Sequence, residues 1–300
     1  MRSILARTIS LNAVALETYT GFWGGKKFRD ACKVCHEFVD NVVQKALHPP
    51  RNSEARSSDK GPYIFIEALF EKTTDPKVLR DQCINILLAG RDTTACCLNW
   101  ALRLLVLHPK VMAKLRSEIK ETFGVGRQAS EPVIGQPKQL SYLKAVLHEV
   151  LRLYPSVPVN SRAAAKTTTL PTGGGPDGKA PVLVRKGEAV GYCAYAMHRQ
   201  KEYFGDDADE FRPERWENGA LKDVGWAYLP FNGGPRVCLG QEFALLEVRY
   251  TIVKLVQTFE IIELAKGKMS DVAVGQEKQG LTLVVSSGDG CWVKMARYLD

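Results

Sequence analysis

Residues 75–109, DPKVLRDQCINILLAGRDTTACCLNWALRLLVLHP, constrain this chain more than any other stretch. Asp75 is placed as an N-cap with Pro76 at the first helical position, and His108-Pro109 closes the segment. The helix between them is apolar nearly all round, so it belongs inside a protein rather than on its surface. A buried helix of that length needs a large, mainly helical domain around it. Gly90 sits in its middle, where glycine costs about 1 kcal/mol against alanine, so a local distortion is expected there. The 300 residues, 45% hydrophobic and 25% charged, fit one large globular domain or two ordinary ones. No run reaches the ~18 apolar residues of a spanning helix, and the first residues lack the apolar core of a signal peptide.

The rest of the pattern agrees with a mainly α chain carrying a small β-region. Residues 28–47 space Phe28, Cys32, Cys35, Val39 and Val43 along one amphipathic helix. Residues 48–62 are polar and rich in breakers, an exposed linker. Short helical character returns at 63–74. A helix is predicted from Pro109 to Phe123, stopped by Gly124, and another from a Ser141 cap to Tyr154, ended by Pro155. Residues 156–198 carry turn signals and short alternating runs, hence strands. TGGGPDG (172–178) contains Pro176 and precedes a strand-like run, so it is a turn and not a phosphate cradle. A helix follows Gly240, and 281–287 is expected to form a hairpin with 291–295 across a Gly-Asp-Gly turn. Residues 1–27 are left as a separate N-terminal segment, with 28–300 as one domain.

Lysine and arginine exceed aspartate and glutamate, 41 to 33, giving a net charge of +8. That favours acidic partners. No dense basic run is interleaved with aromatics, so nucleic acid is not expected as a partner. The eight cysteines need no disulfide framework in a chain of this length and are read as reduced.

One cysteine stands apart. In FNGGPRVCLGQEFALLE (231–247), Cys238 lies between a Gly-Gly-Pro turn and a helix start. Unpaired N–H groups and the helix dipole there favour a thiolate. Gly234 and Gly240 let the backbone approach something flat or bulky, Arg236 supplies a charge suited to a carboxylate, and Phe231 offers an apolar wall.

The pattern Phe-x-x-Gly-x-Arg-x-Cys-x-Gly is met here at every fixed position, and it resembles the haem-binding loop of the cytochrome P-450 family. Further matches follow in the family's chain order. AGRDTT (89–94) resembles its oxygen-binding helix, HEVLR (148–152) contains its Glu-x-x-Arg, and FRPERW (211–216) resembles the segment that completes that pair. The resemblance covers nearly all of the chain from Phe28 and is that of the C-terminal part of such a protein. The wording of residues 75–95, the 170–187 insert and 195–216 resembles the fungal branch that hydroxylates n-alkanes and fatty acids, which is anchored in the endoplasmic reticulum.

The resemblance implies a role for each matching residue. Cys238 would be the axial thiolate of haem b, which pushes electron density onto iron. Asp92 and Thr93 would deliver protons to the oxygen site. Glu149, Arg152 and Arg215 would form a structural network holding the Cys238 loop. Arg236 is the first candidate for a haem propionate, with Arg162 and His198 behind it; His198 is equally read as an ordinary strand-end histidine. Val157, Pro158, Val159 and Asn160, with Ile86, Ala89 and Leu281, would line the pocket for an apolar substrate. A flavoprotein NADPH reductase would be the electron-donating partner. The membrane anchor would lie in a portion not present here.

Other readings remain open at this level. The chain could be a non-catalytic remnant or the product of a mis-called start. It could be a haem–thiolate isomerase or dehydratase that uses no dioxygen, against which Asp92 and Thr93 weigh. CKVCH (32–36) fits the c-type haem attachment pattern, although both cysteines fall on an apolar helix stripe. No G-x-S-x-G is present, which disfavours an α/β-hydrolase.

Overall fold

The structure is a computed structural model, and it describes residues 25–47, 65–133, 135–265, 267 and 272–299. The expected 48–62 linker and nearly all of the 1–27 segment lie outside the described residues. The chain divides into two compact units, residues 1–89 and 90–300.

In the first unit, helix α1 (Lys26–Leu47) and short helix α2 (Phe65–Phe70) are described. The second ends before the residue 74 expected, because a turn follows at Glu71. Helix α3 (Pro76–Leu107) begins in this unit and runs on without a break. Its start is local: the Asp75 carboxylate accepts the N–H groups of Lys77 (2.9 Å) and Val78 (3.4 Å). Val39 and Val43 of α1 meet Leu79 of α3 in a small core flanked by Ile66, Leu69 and Phe70.

Two expectations for α3 need correction. The helix is not buried throughout: Ile86, Leu87 and Leu88 are 44, 56 and 50% exposed, whereas Trp100, Leu104 and Leu105 are fully buried. The apolar pattern marks surface that needs a cover; among the described residues Leu79 and the C-terminal half have one, and residues 86–88 do not. Gly90 makes no distortion either; it is helical with nothing within 4 Å of where a Cβ would stand.

The second unit is built on the C-terminal half of α3, on α4 (Pro109–Phe123), α5 (Ser141–Leu153) and α8 (Gln241–Thr258). Trp100 and Leu104 of α3, Leu115 and Ile119 of α4, Val146 and Val150 of α5, and Val248 and Ile252 of α8 form one core. Each such side chain contributes about 1.5–3 kcal/mol by leaving water. Gly124 stops α4 at φ +70°, and a side chain there would meet the Gln128 carbonyl.

Helix α5 shows what local reading misses. Ser141 is its first helical residue and caps nothing. The cap is Glu118 of α4, whose carboxylate accepts the N–H groups of Tyr142 (2.7 Å) and Leu143 (2.9 Å) and the Ser141 hydroxyl (3.2 Å). A carboxylate on two unpaired N–H groups at the positive helix end is the stronger cap. Glu118→Ala is therefore expected to cost about 1–2 kcal/mol and Ser141→Ala less than about 0.5 kcal/mol, read as shifts in the urea midpoint. Equal losses would contradict this assignment.

Among the described residues the strands make four separate antiparallel pairs. β1 (Val159–Ala163) pairs with β4 (Ala189–Cys193), and β2 (Thr168–Gly174) with β3 (Ala180–Val184). Short helices α6 (Ala194–Met197) and α7 (Lys201–Phe204) follow. The hairpin expected between 281–287 and 291–295 does not form. Instead β6 (Gln279–Leu281) turns back on β7 (Val285–Ser287), and β8 (Val293–Arg297) pairs with β5 (Phe259–Leu264). Tertiary bonds fix the tight turn: the Val285 carbonyl accepts Trp100 Nε1 (2.7 Å) and Cys96 Sγ (3.0 Å), and its N–H bonds the Ser156 carbonyl (3.1 Å).

Candidate functional site: the Cys238 loop and its buried anchor

The loop forms from its own sequence. Asn232 and Gly234 take left-handed φ values of +62° and +65°, which turn the chain sharply after Phe231. A side chain at Gly233 would strike the Trp226 ring at 2.6 Å, so only glycine lets this turn close. A single 3₁₀ turn, Gly234–Arg236, carries the chain back, and the Cys238 N–H bonds the Phe231 carbonyl at 2.8 Å. Phe231 packs against the core. Cys238 and Arg236 are exposed. Helix α8 begins only at Gln241, so Cys238 stands just outside its first turn rather than within it.

Around the cysteine the surface is apolar and bare. Leu239 is 94% exposed and Phe243 63%. Gly240 has nothing within 4 Å of its missing Cβ. An exposed thiol beside bare backbone, apolar side chains and a nearby guanidinium is a donor set that fits a large flat anionic group held through sulfur.

Leu229, two residues before Phe231, is joined through His198 to the Glu149 network. Arg152 forks onto Glu149 through Nε (2.9 Å) and Nη2 (2.8 Å), and Arg215 Nε adds 2.9 Å. Trp216 Nε1 (2.8 Å) and the Arg212 N–H (3.1 Å) complete the carboxylate's partners. Arg152 spends its remaining donors on the carbonyls of His198, Ala208 and Glu210, and Arg215 on Phe204 and Asp207. Glu149 and Arg152 are fully buried, and Arg215 nearly so. Such a charge cluster is tolerable only because its donors and acceptors are met.

The structure places the other expected residues less uniformly. Asp92 is half-buried, and its carboxylate is held by Arg91 (2.7 Å), whose hydrogen bond keeps it below the usual carboxylate range. The Thr93 carbonyl accepts the Ser156 hydroxyl at 2.9 Å, tying α3 to the chain after α5. Arg162 is exposed on β1 and bonds the neighbouring Ser161 carbonyl (2.7 Å). Pro158 is buried, and Val157, Val159 and Asn160 are half-buried beside the Ser156 segment on which the β6–β7 hairpin docks, with Leu281 54% exposed on it. Asn160 turns toward the loop, accepting Asn232 Nδ2 at 3.5 Å, while Tyr192 donates to Asn232 Oδ1 at 2.5 Å. Ile86 and Ala89 are exposed on the first unit's part of α3.

His198 is the correction. It is fully buried, its Nε2 accepts the Leu229 N–H (2.8 Å), and its Nδ1 faces the Arg152 carbonyl (3.2 Å). Both nitrogens are taken by backbone, so neither is left for a propionate. The sequence reading also missed Trp216, Tyr228, Asn232 and Tyr192. Trp216 and Asn232 sat inside the motifs already singled out; Tyr228 and Tyr192 carried no signal. Among the described residues no cluster of three or more metal-ligating side chains occurs, the CKVCH helix included. A cavity of about 270 Å³ lined by Arg103, Tyr154 and Glu277 holds none of the expected site residues.

Burial holds His198 and His148 neutral, with pKa values pushed down to about 4. At His198 the Arg152 and Leu151 carbonyls push back up while the Arg152 and Arg199 charges push down, and at His148 Lys144 and Arg249 push down. The unfolded chain protonates both near pH 6.5, so between pH 6.5 and 4 it binds more protons than the fold does. Stability is thus full above pH 6.5 and falls on acidification, by roughly 3 kcal/mol per histidine at the lower limit. Urea midpoints measured from pH 7.5 to 4.5 should fall steadily, and a flat profile would contradict it.

Comparison with known proteins decides the family. The cytochrome P450 profile matches residues 10–284, starting upstream of Phe28. The chain belongs to the cytochrome P450 family. It is 68% identical over 279 residues to a cytochrome P450 of Arthroderma benhamiae, covering 92% of this chain and 56% of that protein. It is 48% identical to cytochrome P450 52A6 of Candida tropicalis (93% and 52% covered) and 52% identical to cytochrome P450 52A13 of Debaryomyces hansenii (79% and 46%). The chain spans about half the length of these fungal P450 relatives. Among the described residues no helix is long and apolar enough to cross a membrane.

Proposed function

We propose that this chain carries the haem–thiolate half of a fungal monooxygenase, with Cys238 as the ligand to haem b. The observation that carries the reading is the exposed Cys238 thiol, presented by a loop whose turn closes through Phe231 and lies beside bare, apolar surface. Family membership supplies the cofactor class. Haem bound through a thiolate supplies dioxygen activation and insertion of one oxygen atom into an apolar C–H bond.

The chain's own residues serve that chemistry by position. Phe231 forms an apolar wall behind the sulfur. Arg236, exposed in the same loop, would bind a propionate, with Arg162 as a second cation. Glu149, Arg152 and Arg215 would hold the chain leading into the loop. Asp92 and Thr93 would hold and pass protons. Val157, Pro158, Val159, Asn160 and Leu281, with Ile86 and Ala89, would contact the substrate. The wording of residues 75–95, which resembles the fungal branch that hydroxylates n-alkanes and fatty acids, favours an n-alkane or fatty acid, a reading that extends to an apolar fungal metabolite. Electrons would come from a flavoprotein NADPH reductase, a partner with which the net charge of +8 is consistent, and the full-length protein would face the cytosol from the endoplasmic reticulum membrane.

The exposed Ile86, Leu87 and Leu88 favour one second reading, that the chain builds the cysteine loop but no working pocket. The experiment is expression of the 300 residues with haem supplied, followed by the ferrous carbon monoxide difference spectrum. A thiolate-type red-shifted Soret band is the expected result. Its absence would favour the second reading.

A further inference from the structure

His198 lies where three segments cross. Its backbone carbonyl accepts Arg152 Nη1 (2.9 Å), and its ring Nδ1 faces the Arg152 carbonyl (3.2 Å). On the other side Nε2 accepts the Leu229 N–H at 2.8 Å. An acceptor at Nε2 opposite a carbonyl at Nδ1 permits one arrangement, the neutral ring with its proton on Nδ1. Leu229 stands two residues before Phe231, the residue whose carbonyl holds the Cys238 N–H. Tyr228, just before it, packs against the His198 ring (5.1 Å) and hydrogen-bonds His148 Nδ1 (3.0 Å).

An ordinary core histidine satisfies its nitrogens wherever partners happen to lie. Here one nitrogen faces the backbone carbonyl of Arg152, a fully buried member of the Glu149 network, and the other bonds the chain leading into the cysteine loop. Among the described residues no other side chain is bonded to the Leu229 N–H. We propose that His198 is a positioning residue, a rigid neutral bridge that passes the fixed position of Arg152 to residues 228–238 and so sets where Cys238 stands. Its consequence for haem rests on the proposed role of Cys238; the bridge itself does not.

The test is peptide-resolved hydrogen exchange on the full chain without haem, comparing wild type, His198→Gln and His198→Leu. Glutamine can set its amide oxygen where Nε2 stands and keep the Leu229 bond; leucine cannot. We expect His198→Leu to speed exchange across 228–238 about tenfold or more while α4 is unchanged, and His198→Gln to restore most of the protection. Unchanged exchange in 228–238, or equal acceleration in α4, would overturn the proposal. Should His198→Leu not fold, wild type decides: the Leu229 and Cys238 amides should open together with protection matched within about threefold, and a difference of about tenfold would overturn it. In haem-loaded protein the leucine variant should lose the thiolate-type fraction that glutamine keeps. A wild type that lacks the thiolate-type band would count against the haem reading alone, because the exchange data stand without it.

Discussion

Glu149→Ala is expected to destabilise the chain by about 3–5 kcal/mol, enough to unfold a marginal protein at room temperature. Among the described residues the carboxylate is the only acid touching Arg152, it is shared with Arg215, and the two arginine side chains are 0% and 3% exposed. Removing it leaves two buried cations with no water to solvate them, and it also frees the Trp216 and Arg212 N–H groups. Glu149→Gln keeps the volume and one acceptor but not the charge, so it should recover only part of the loss. Asp207→Asn provides the comparison: Asp207 also meets Arg215, but its side chain is 28% exposed and water can replace it, so about 1 kcal/mol is expected. Urea unfolding followed by tryptophan fluorescence measures all three. A Glu149→Ala loss no larger than that of Asp207→Asn would show that the network is not the anchor its burial implies.

Cys238→Ala is expected to abolish the thiolate-type carbon monoxide band completely while leaving the urea midpoint within about 0.5 kcal/mol of wild type. The combination is informative because the Cys238 side chain is exposed. The loop closes through its backbone N–H, which alanine keeps. Loss of the band therefore reports the sulfur and not the fold. Cys238→His should replace it with a histidine-type band if the ring reaches the same ligand, since the axial atom sets the electron density at iron. Persistence of a thiolate-type band in Cys238→Ala would move the ligand to another of the cysteines. Cys35 is the other exposed one among those described.

The legibility of this protein follows the range of the forces involved. Asp75 caps a helix two and three residues away, Gly124 stops one with its own φ, and Glu149 reaches Arg152 one turn along the same helix. These bonds are closed by neighbours in sequence, so residue types and spacing suffice to write them down. The Cys238 loop is equally local, with Gly234 and the Phe231–Cys238 bond within one short segment, although the left-handed turn at Asn232 was missed. The sequence motifs and their order also pointed to the family.

What the sequence left undecided are bonds whose partners are far apart in the chain. Glu118 rather than Ser141 caps α5, because α4 brings a carboxylate to a helix end that a serine already within the first turn cannot serve. β8 pairs with β5 rather than β7, since Val285 is held by Trp100 and Ser156 and the turn must close before it. His198 stood open between a propionate ligand and an ordinary strand-end histidine, and Arg152 and Leu229 draw it fully inside. By itself the sequence determined the longer helices, the Asp75 cap, the Gly124 stop and the family, but not the short helices 194–197 and 201–204. Only the tertiary structure decided which distant backbone groups each buried polar side chain would satisfy, because the cost of leaving such a group unpaired is settled by whatever packs against it and not by its neighbours in the chain.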